Sequence, residues 1–220
     1  MKREIITTGD GSKTIQIKDW QEQYHSKHGA IQEAYHVFIH SGLELFRQPQ
    51  INILEIGFGT GLNAFITLLE SEKRNLEVDY TGVEAYPVSI EELNQLNYLE
   101  ELNSISRKDE FELIHKSPWN EKFKINPNFT LTKEQKFFKD INAFESYELV
   151  YFDAFGARVQ PELWTVEIFN IMYRAMKTDG YLVTYAAKGS VRRAMQEVGF
   201  VVERLPGPPG KREMLRAKKA

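Results

Sequence analysis

The sequence predicts an α/β fold with a largely parallel, Rossmann-like sheet, and three observations predict it. Short β-branched runs alternate with helical periodicities along most of the chain, a glycine-rich turn joins one such run to the next helix, and acidic residues end two further runs. Parallel strands need crossover connections, so this alternation places helices on the faces of one sheet. With 220 residues and 42% hydrophobic content the chain suits one domain, read as an N-terminal cover over 1–48 and a core over 49–220.

The elements follow in order. Thr7-Thr8 and residues 14–17 are β-prone and flank Gly9-Asp10-Gly11-Ser12, which predicts a hairpin. Between 31 and 46, Ala34, Val37, Phe38, Gly42 and Leu45 recur at three- and four-residue spacing and give a helix one small or apolar face. Residues 51–56 form a β-branched run ending in glycines, the pattern of a buried parallel strand. Helix is then expected over 62–70, strand over 78–83, helix over 88–96, strand over 148–152, a long helix over 162–176 and strand over 181–186. Residues 200–205 and 213–217, around Pro206-Gly207-Pro208-Pro209-Gly210, predict a closing antiparallel hairpin. The stretch 99–128, with Pro118, Pro127 and several Asn, reads as loops around short strands and as an insertion over the site.

Composition narrows the function classes. With no cysteine, the sequence excludes a disulfide framework, a thiolate zinc site and a cysteine nucleophile, and it contains no run of signal-peptide or membrane-span type. The expectation is a cytoplasmic protein with no membrane association. A net charge of −3 argues against coating nucleic acid through bulk charge, yet residues 186–220 carry nine Lys or Arg and three Glu, so +6 faces −9 in the rest. That leaves a local basic face, although terminal lysines such as Lys218 and Lys219 also read as solvated solubilisers.

The glycine turn is Glu55-Ile56-Gly57-Phe58-Gly59-Thr60-Gly61-Leu62-Asn63. Glycines between a strand and a helix let the backbone turn sharply and approach a ligand. The spacing is Gly-x-Gly-x-Gly, whereas a dinucleotide fingerprint needs a glycine at position 62, which is Leu. The pattern therefore favours S-adenosylmethionine, which has no pyrophosphate, over NAD; a purely structural turn is the alternative. Glu84, 23 residues after Gly61, stands where an acid accepts from ribose hydroxyls or caps a helix. Asp140 can accept from an adenine amino group or cap a short helix after it. Asp153, in Tyr151-Phe152-Asp153-Ala154-Phe155, ends the fourth core strand at the lip of the expected crevice, with Phe152, Phe155 and Trp164 available to wall in a flat substrate; capping a helix near Pro161 is the alternative.

Five separated runs carry a resemblance across nearly the whole chain: 55–63, Asp153-Ala154-Phe155, 160–165, Gly189-Ser190-Val191-Arg192-Arg193 and 210–215. They resemble the methyltransferase half of the bacterial bifunctional enzymes that build 5-methylaminomethyl-2-thiouridine at the tRNA wobble position, and Tyr24-His25-Ser26, Gly29, Glu33 and Val37-Phe38 are similar to that family's N-terminal cover. The resemblance implies a class I S-adenosylmethionine-dependent methyltransferase sheet with an N-terminal cover and a C-terminal antiparallel hairpin. It implies methyl transfer to the aminomethyl nitrogen of 5-aminomethyl-2-thiouridine, with S-adenosylhomocysteine as the cofactor product. By resemblance Asp153 is the catalytic residue beside the accepting amine, and Tyr24, Glu55, Gly57, Phe58, Gly59, Gly61, Asn63, Glu84, Asp140 and Asp153 are the expected cofactor contacts.

The family's longer members append an FAD-dependent oxidase, and 220 residues leave it no room, so a stand-alone methyltransferase without FAD is expected. The expected partner is the tRNA anticodon loop, held by Lys188, Arg192, Arg193, Lys211 and Arg212; the alternative for Arg192 and Arg193 is pairing with Glu197 and Glu203. No stable protein partner is readable. His25, His28, His36 and His40 crowd together near Glu33, but methyl transfer needs no metal and no ligand set is completed, so no metal is expected. Two alternatives in function are a methyltransferase of a protein or small-molecule amine and a non-catalytic RNA-binding module on the same fold.

Overall fold

A computed structural model describes residues 2–220. The first residues form a small antiparallel sheet of β1 (Arg3–Thr7), β2 (Lys13–Ile17) and β3 (Glu22–Gln23), as the turn signal at 9–12 requires. A helical segment follows, α1 (Ala30–Ala34) continuing into a π-helical turn, Tyr35–His40, and a 3-10 turn, Leu43–Leu45.

The core begins with β4 (Gln50–Ile56), α2 (Leu62–Lys73) and β5 (Glu77–Glu84), then the one-turn helices α3 (Ile90–Leu93) and α4 (Tyr98–Glu101) and the longer α5 (Lys108–Lys116). It continues with β6 (Lys122–Asn126), β7 (Phe129–Gln135), β8 (Tyr147–Phe152), α6 (Val166–Ala175), β9 (Met176–Thr184), α7 (Gly189–Val198), β10 (Val201–Pro206) and β11 (Glu213–Lys218). The eight strands of the second sheet run in the order β10-β11-β9-β8-β4-β5-β7-β6. Pairing is parallel from β7 through β5, β4 and β8 to β9, and antiparallel where β6, β11 and β10 close the two edges.

β4 shows how sequence period becomes layers. Successive side chains of a strand point to opposite faces. Ile51 and Ile53 pack into one buried cluster with α2 and the π-helical turn, and Leu54 and Ile56 into a second with α6 and α7. Glu55 falls on the first face and is fully buried there. β4 and β8 are neighbours although the chain reaches β5 first, so the strand order reverses between them and opens the crevice where sheets of this kind bind ligands.

Several expectations need correction. The helix expected over 88–96 is helical only from Ile90 to Leu93, where Ser89 and Glu92 form a capping box and the chain then turns. The helix expected over 162–176 starts later: Pro161–Trp164 is a 3-10 turn, Thr165 caps α6, and Met176 already begins β9, which ends at Thr184 rather than 186. The stretch 99–128 contains α5 and β6 rather than mainly loops, and it is followed by β7, a core parallel strand for which the sequence reading has no element. Lys133 on β7 takes an inward position beside Phe129 and Leu131, its ammonium donating to the carbonyl of His115 (2.7 Å) in the last turn of α5 and lying 5.0 Å from the Trp119 ring. Lys219 is likewise no solvated solubiliser: it is buried and donates to the Met176 carbonyl just past α6, while Lys218 pairs with Asp179. Among the described residues no helix is long and apolar enough to cross a membrane.

Candidate active site

The turn after β4 has a backbone that only glycine tolerates. Gly57 has φ +89°, and a Cβ there would lie 2.6 Å from the carbonyl oxygen of Asp153. The first glycine therefore lets the ends of β4 and β8 come together, and the amide of Asp153 donates to the carbonyl of Ile56 (2.9 Å). Phe58 packs against Gly82 of β5, where any side chain would collide with its ring. Glu84 then ties the turn to the end of β5: one oxygen accepts from the amide of Gly59 (3.1 Å), the other from the amide of Tyr86 (2.9 Å).

These elements wall a cavity of about 760 Å³. Of the expected cofactor contacts, Tyr24, Gly57, Phe58, Gly59, Asn63, Glu84 and Asp153 line it. Gly61 does not; it sits one turn deeper as the left-handed N-cap of α2. Glu55 is buried beneath the wall and reaches the cavity only through Asn63. Asp140 is exposed at the end of the 3-10 turn Phe138–Asp140, and Phe137, Phe138 and Lys139 line the cavity in its place. No helix follows Asp140, so the capping alternative falls away. Asp153 caps no helix either, since Thr165 takes that role for α6.

The expected aromatic wall is partly wrong. Phe152 and Trp164 are core residues, and Phe155 is flanked instead by Tyr24 (ring centroids 5.0 Å apart) and Trp20 (5.6 Å), both from the N-terminal cover. The sequence reading also omitted Trp20 and Tyr185. Tyr185 directly follows β9, and the rule that nominated Asp153, that ligands bind outside the carboxyl ends of the strands, would have nominated it too.

A buried hydrogen-bond relay sits at the centre. The Asn63 amide nitrogen donates to Glu55 Oε1 (2.9 Å) and to Asp153 Oδ2 (2.8 Å), so one side chain bridges two carboxyl groups. Burial holds the Glu55 carboxyl well above the ordinary range, the charges of Asp153 and Glu84 adding to the effect and the Asn63 hydrogen bond opposing it. Burial also raises Asp153, to about 7; Glu33 raises it further, while the Asn63 hydrogen bond and Lys211 pull it down. Burial thus favours the protonated form of Glu55, and Asp153 is poised to gain or lose a proton near neutral pH.

The five basic residues separate. Lys188, at the N-terminus of α7, Arg193 on α7 and Arg212 in the β10–β11 turn are exposed, and Arg192 is half-buried with its Nε unpartnered. The pairing with Glu197 and Glu203 does not occur; Glu203 binds Arg216 (2.5 Å). Lys211 departs from expectation. It lines the cavity, and its ammonium pairs with Glu33 (2.5 Å). The histidines do not converge: His25 faces Thr14, His36 the carbonyl of Pro206 and His40 Glu44, and among the described residues no group of three His, Cys, Asp or Glu is arranged to hold a metal.

Comparison with known proteins agrees with this geometry. Residues 114–220 match the family model described as S-adenosyl-L-methionine-dependent methyltransferase. The chain is 28% identical, over 97% of its length, to the tRNA 5-methylaminomethyl-2-thiouridine biosynthesis bifunctional protein MnmC of Hydrogenovibrio crunogenus, of which it covers 33%. It is 28% identical to the MnmC of Pseudoalteromonas translucida over 90% of its length, again covering 33% of that protein, so the chain spans about a third of the curated relatives it matches. The crystal structure of MNMC2 from Aquifex aeolicus superposes with a TM-score of 0.81 at 28% identity, covering 100% of this chain and 70% of that one. Spermidine synthase from Thermotoga maritima shares the fold alone, with a TM-score of 0.57 at 12% identity over 99% of this chain and 71% of that one. In sequence and in fold, the chain is homologous to the methyltransferase region of the bifunctional MnmC proteins.

Proposed function

We propose that this chain transfers the methyl group of S-adenosylmethionine to the aminomethyl nitrogen of 5-aminomethyl-2-thiouridine at the tRNA wobble position, giving 5-methylaminomethyl-2-thiouridine. The observation that carries the reading is Asp153: a carboxyl group at the crevice lip, against the glycine turn, with a pKa raised by burial to about 7. The homologues named for 5-methylaminomethyl-2-thiouridine biosynthesis supply the substrate.

The residues present fit the cofactor. Gly57 lets the ends of β4 and β8 close together at the cavity wall, the carboxyl of Glu84 stands at that wall for a ribose, and Phe137 and Phe138 offer apolar faces for an adenine. When bound, S-adenosylmethionine supplies an electrophilic methyl on a sulfonium and is left as neutral S-adenosylhomocysteine, chemistry that calls for neither metal nor flavin. The chain's work is to orient the amine and take its proton. Asn63 fixes one oxygen of Asp153, and the other is left to meet the acceptor nitrogen and accept the proton released when the N–C bond forms. Trp20, Tyr24 and Phe155 form an aromatic surface on which a base splayed out of the anticodon loop can stack, and Lys188, Arg192, Arg193 and Arg212 serve the flanking phosphates. Cytoplasmic tRNA is the partner this reading requires.

The test is incubation of tRNA from cells lacking the protein with the purified chain and methyl-labelled cofactor, followed by mass spectrometry of the nucleosides. Label in 5-methylaminomethyl-2-thiouridine is expected. Label in protein alone, or none despite cofactor binding, refutes the reading.

A further inference from the structure

The proposed reaction has a protonation problem. A primary alkylamine is mostly an ammonium at neutral pH, a carboxylate beside it favours that form, and only the free amine has a lone pair with which to attack carbon. The wall around Asp153 contains a group that answers it. Lys211, on the turn between β10 and β11, reaches into the cavity, where its Nζ lies 2.5 Å from Glu33 Oε1 and 3.8 Å from the centroid of the Tyr185 ring.

Each partner is itself held. Glu33 is 7% exposed and its other oxygen accepts from the amide of Ser26 (2.8 Å); the Tyr185 hydroxyl donates to the carbonyl of Ala154 (2.8 Å). The turn carrying Lys211 is seated too. Gly210 lies against the His28 ring, where a side chain would collide, and His36 Nε2 is 2.8 Å from the Pro206 carbonyl. A lysine serving RNA phosphates would be exposed and unpaired, as Lys188 and Arg193 are; Lys211 is neither. Its charge also reaches Asp153, whose pKa it lowers.

We propose that Lys211 is a positioning residue for the transfer: its ammonium, pinned between Glu33 and Tyr185, is a fixed positive charge that disfavours a second ammonium beside Asp153 and so presents the acceptor amine in its neutral form. The inference rests on the function proposed above. Asp153 and Glu33 both pull the acceptor toward the ammonium; the cation fixed in the same wall offsets that pull, and it also favours the ionised carboxylate that must take the proton. Besides Glu33, Tyr185 and Asp153, the charged and titratable groups of the cavity wall are Arg3 on β1, Glu22 on β3, Tyr24, His25, Lys27 and His28 ahead of α1, Glu84 and Tyr86 at the end of β5, Lys139 before β8, Glu162 just before α6 and Glu167 in its first turn. Burial lowers His25 to about 4, so it stays neutral across the working range.

The test is the pH dependence of single-turnover methyl transfer to tRNA carrying the aminomethyl nucleoside. Wild type is compared with Lys211→Met, with Lys211→Gln as a second neutral variant should the first fail to fold, and with Lys211→Arg. For the neutral variants the midpoint of the rising limb should move up by roughly one pH unit, making them about tenfold slower on that limb, and the rate should approach wild type at high pH. Lys211→Arg keeps the wild-type midpoint. A lowered plateau with an unmoved midpoint overturns the proposal and leaves Lys211 a structural residue. Weakened tRNA binding with a flatter salt dependence and an unmoved midpoint overturns it in favour of a phosphate contact. If wild type itself transfers no methyl to this tRNA, the function reading fails and the role of Lys211 falls with it.

Discussion

Replacing Asp153 by Asn should stabilise the folded chain at pH 8 while removing most of its activity. Burial holds this carboxyl at about 7 against an ordinary value of 3.8. The sign follows from counting protons. Between these two values the folded chain retains a proton here that the unfolded chain has released, so the site's contribution to stability is complete below the lower value. It is lost as pH rises toward the higher one, and above about 7 the fold carries the cost of an ionised, partly desolvated carboxylate. The difference between the two values corresponds to about 4 kcal/mol. That is an upper bound, because the replacing amide must also be desolvated; a gain of about 2 kcal/mol, or roughly 4–8 °C in a chain of this size, is the expected scale. The assay is thermal unfolding of both proteins at pH 4, 5, 6, 7 and 8 without cofactor, beside methyl transfer at pH 8. The gap should be smallest at pH 4 and widen with pH, and transfer should fall on the order of 100-fold, since an amide accepts no proton from the amine. A gap that stays constant with pH, or an Asn variant less stable throughout, would refute the account of the buried charge.

Three further outcomes are expected. Gly57→Ala must place a Cβ 2.6 Å from a backbone oxygen at φ +89° and should cost about 3 kcal/mol and abolish S-adenosylhomocysteine binding, read by unfolding and calorimetry. Gly61→Ala, at φ +73° and crowding the His115 and Phe58 rings (2.9 and 3.3 Å) rather than backbone, should cost less and keep most of the affinity because Gly61 itself does not line the cavity; equal loss in both would count against the role given to the Gly57 turn. Burial favours the protonated form of Glu55, which an amide matches in shape and charge, so Glu55→Gln should change stability at pH 7 by no more than about 1 kcal/mol; a collapse of the fold would overturn that account of the burial. Arg193→Ala should lower tRNA affinity and flatten its log–log salt dependence by roughly one unit, and an unchanged slope in a salt series would move the RNA face elsewhere.

What was legible in the sequence is what neighbouring residues decide. β4, the glycine turn and α2 are written in one stretch: a β-branched run, three glycines that all adopt positive φ, then a helical period. β8 and Asp153 follow from the same kind of run. β7 was missed because Lys133 breaks its inward apolar pattern, and the group that makes a buried lysine tolerable, the carbonyl of His115, belongs to a helix with only a short apolar stripe. The inward turn of Lys211 was illegible for a related reason. Its partner Glu33 lies 178 positions away, and nothing near either residue distinguishes an ion pair across a cavity from two solvated charges.

The uneven charge along the chain takes on meaning once the fold is known. The acid-rich part, 1–185, lines the cavity with Glu22, Glu33, Glu84, Asp153, Glu162 and Glu167 against Arg3, Lys27 and Lys139, while the basic last thirty-five residues place Lys188, Arg193 and Arg212 outside it. Under the proposed function the two jobs need opposite fields. A sulfonium, and an amine arriving as its ammonium, are drawn toward a net-acidic interior, and phosphates flanking the target base are repelled by that interior and held by the cations outside. Under that function the net-acidic wall favours entry of an uncharged base on an aminomethyl stem over entry of its phosphates. Lys211 is the basic residue of the C-terminal segment that joins this wall, paired with Glu33, and under the role proposed for it the interior attracts the amine while opposing its retention as an ammonium.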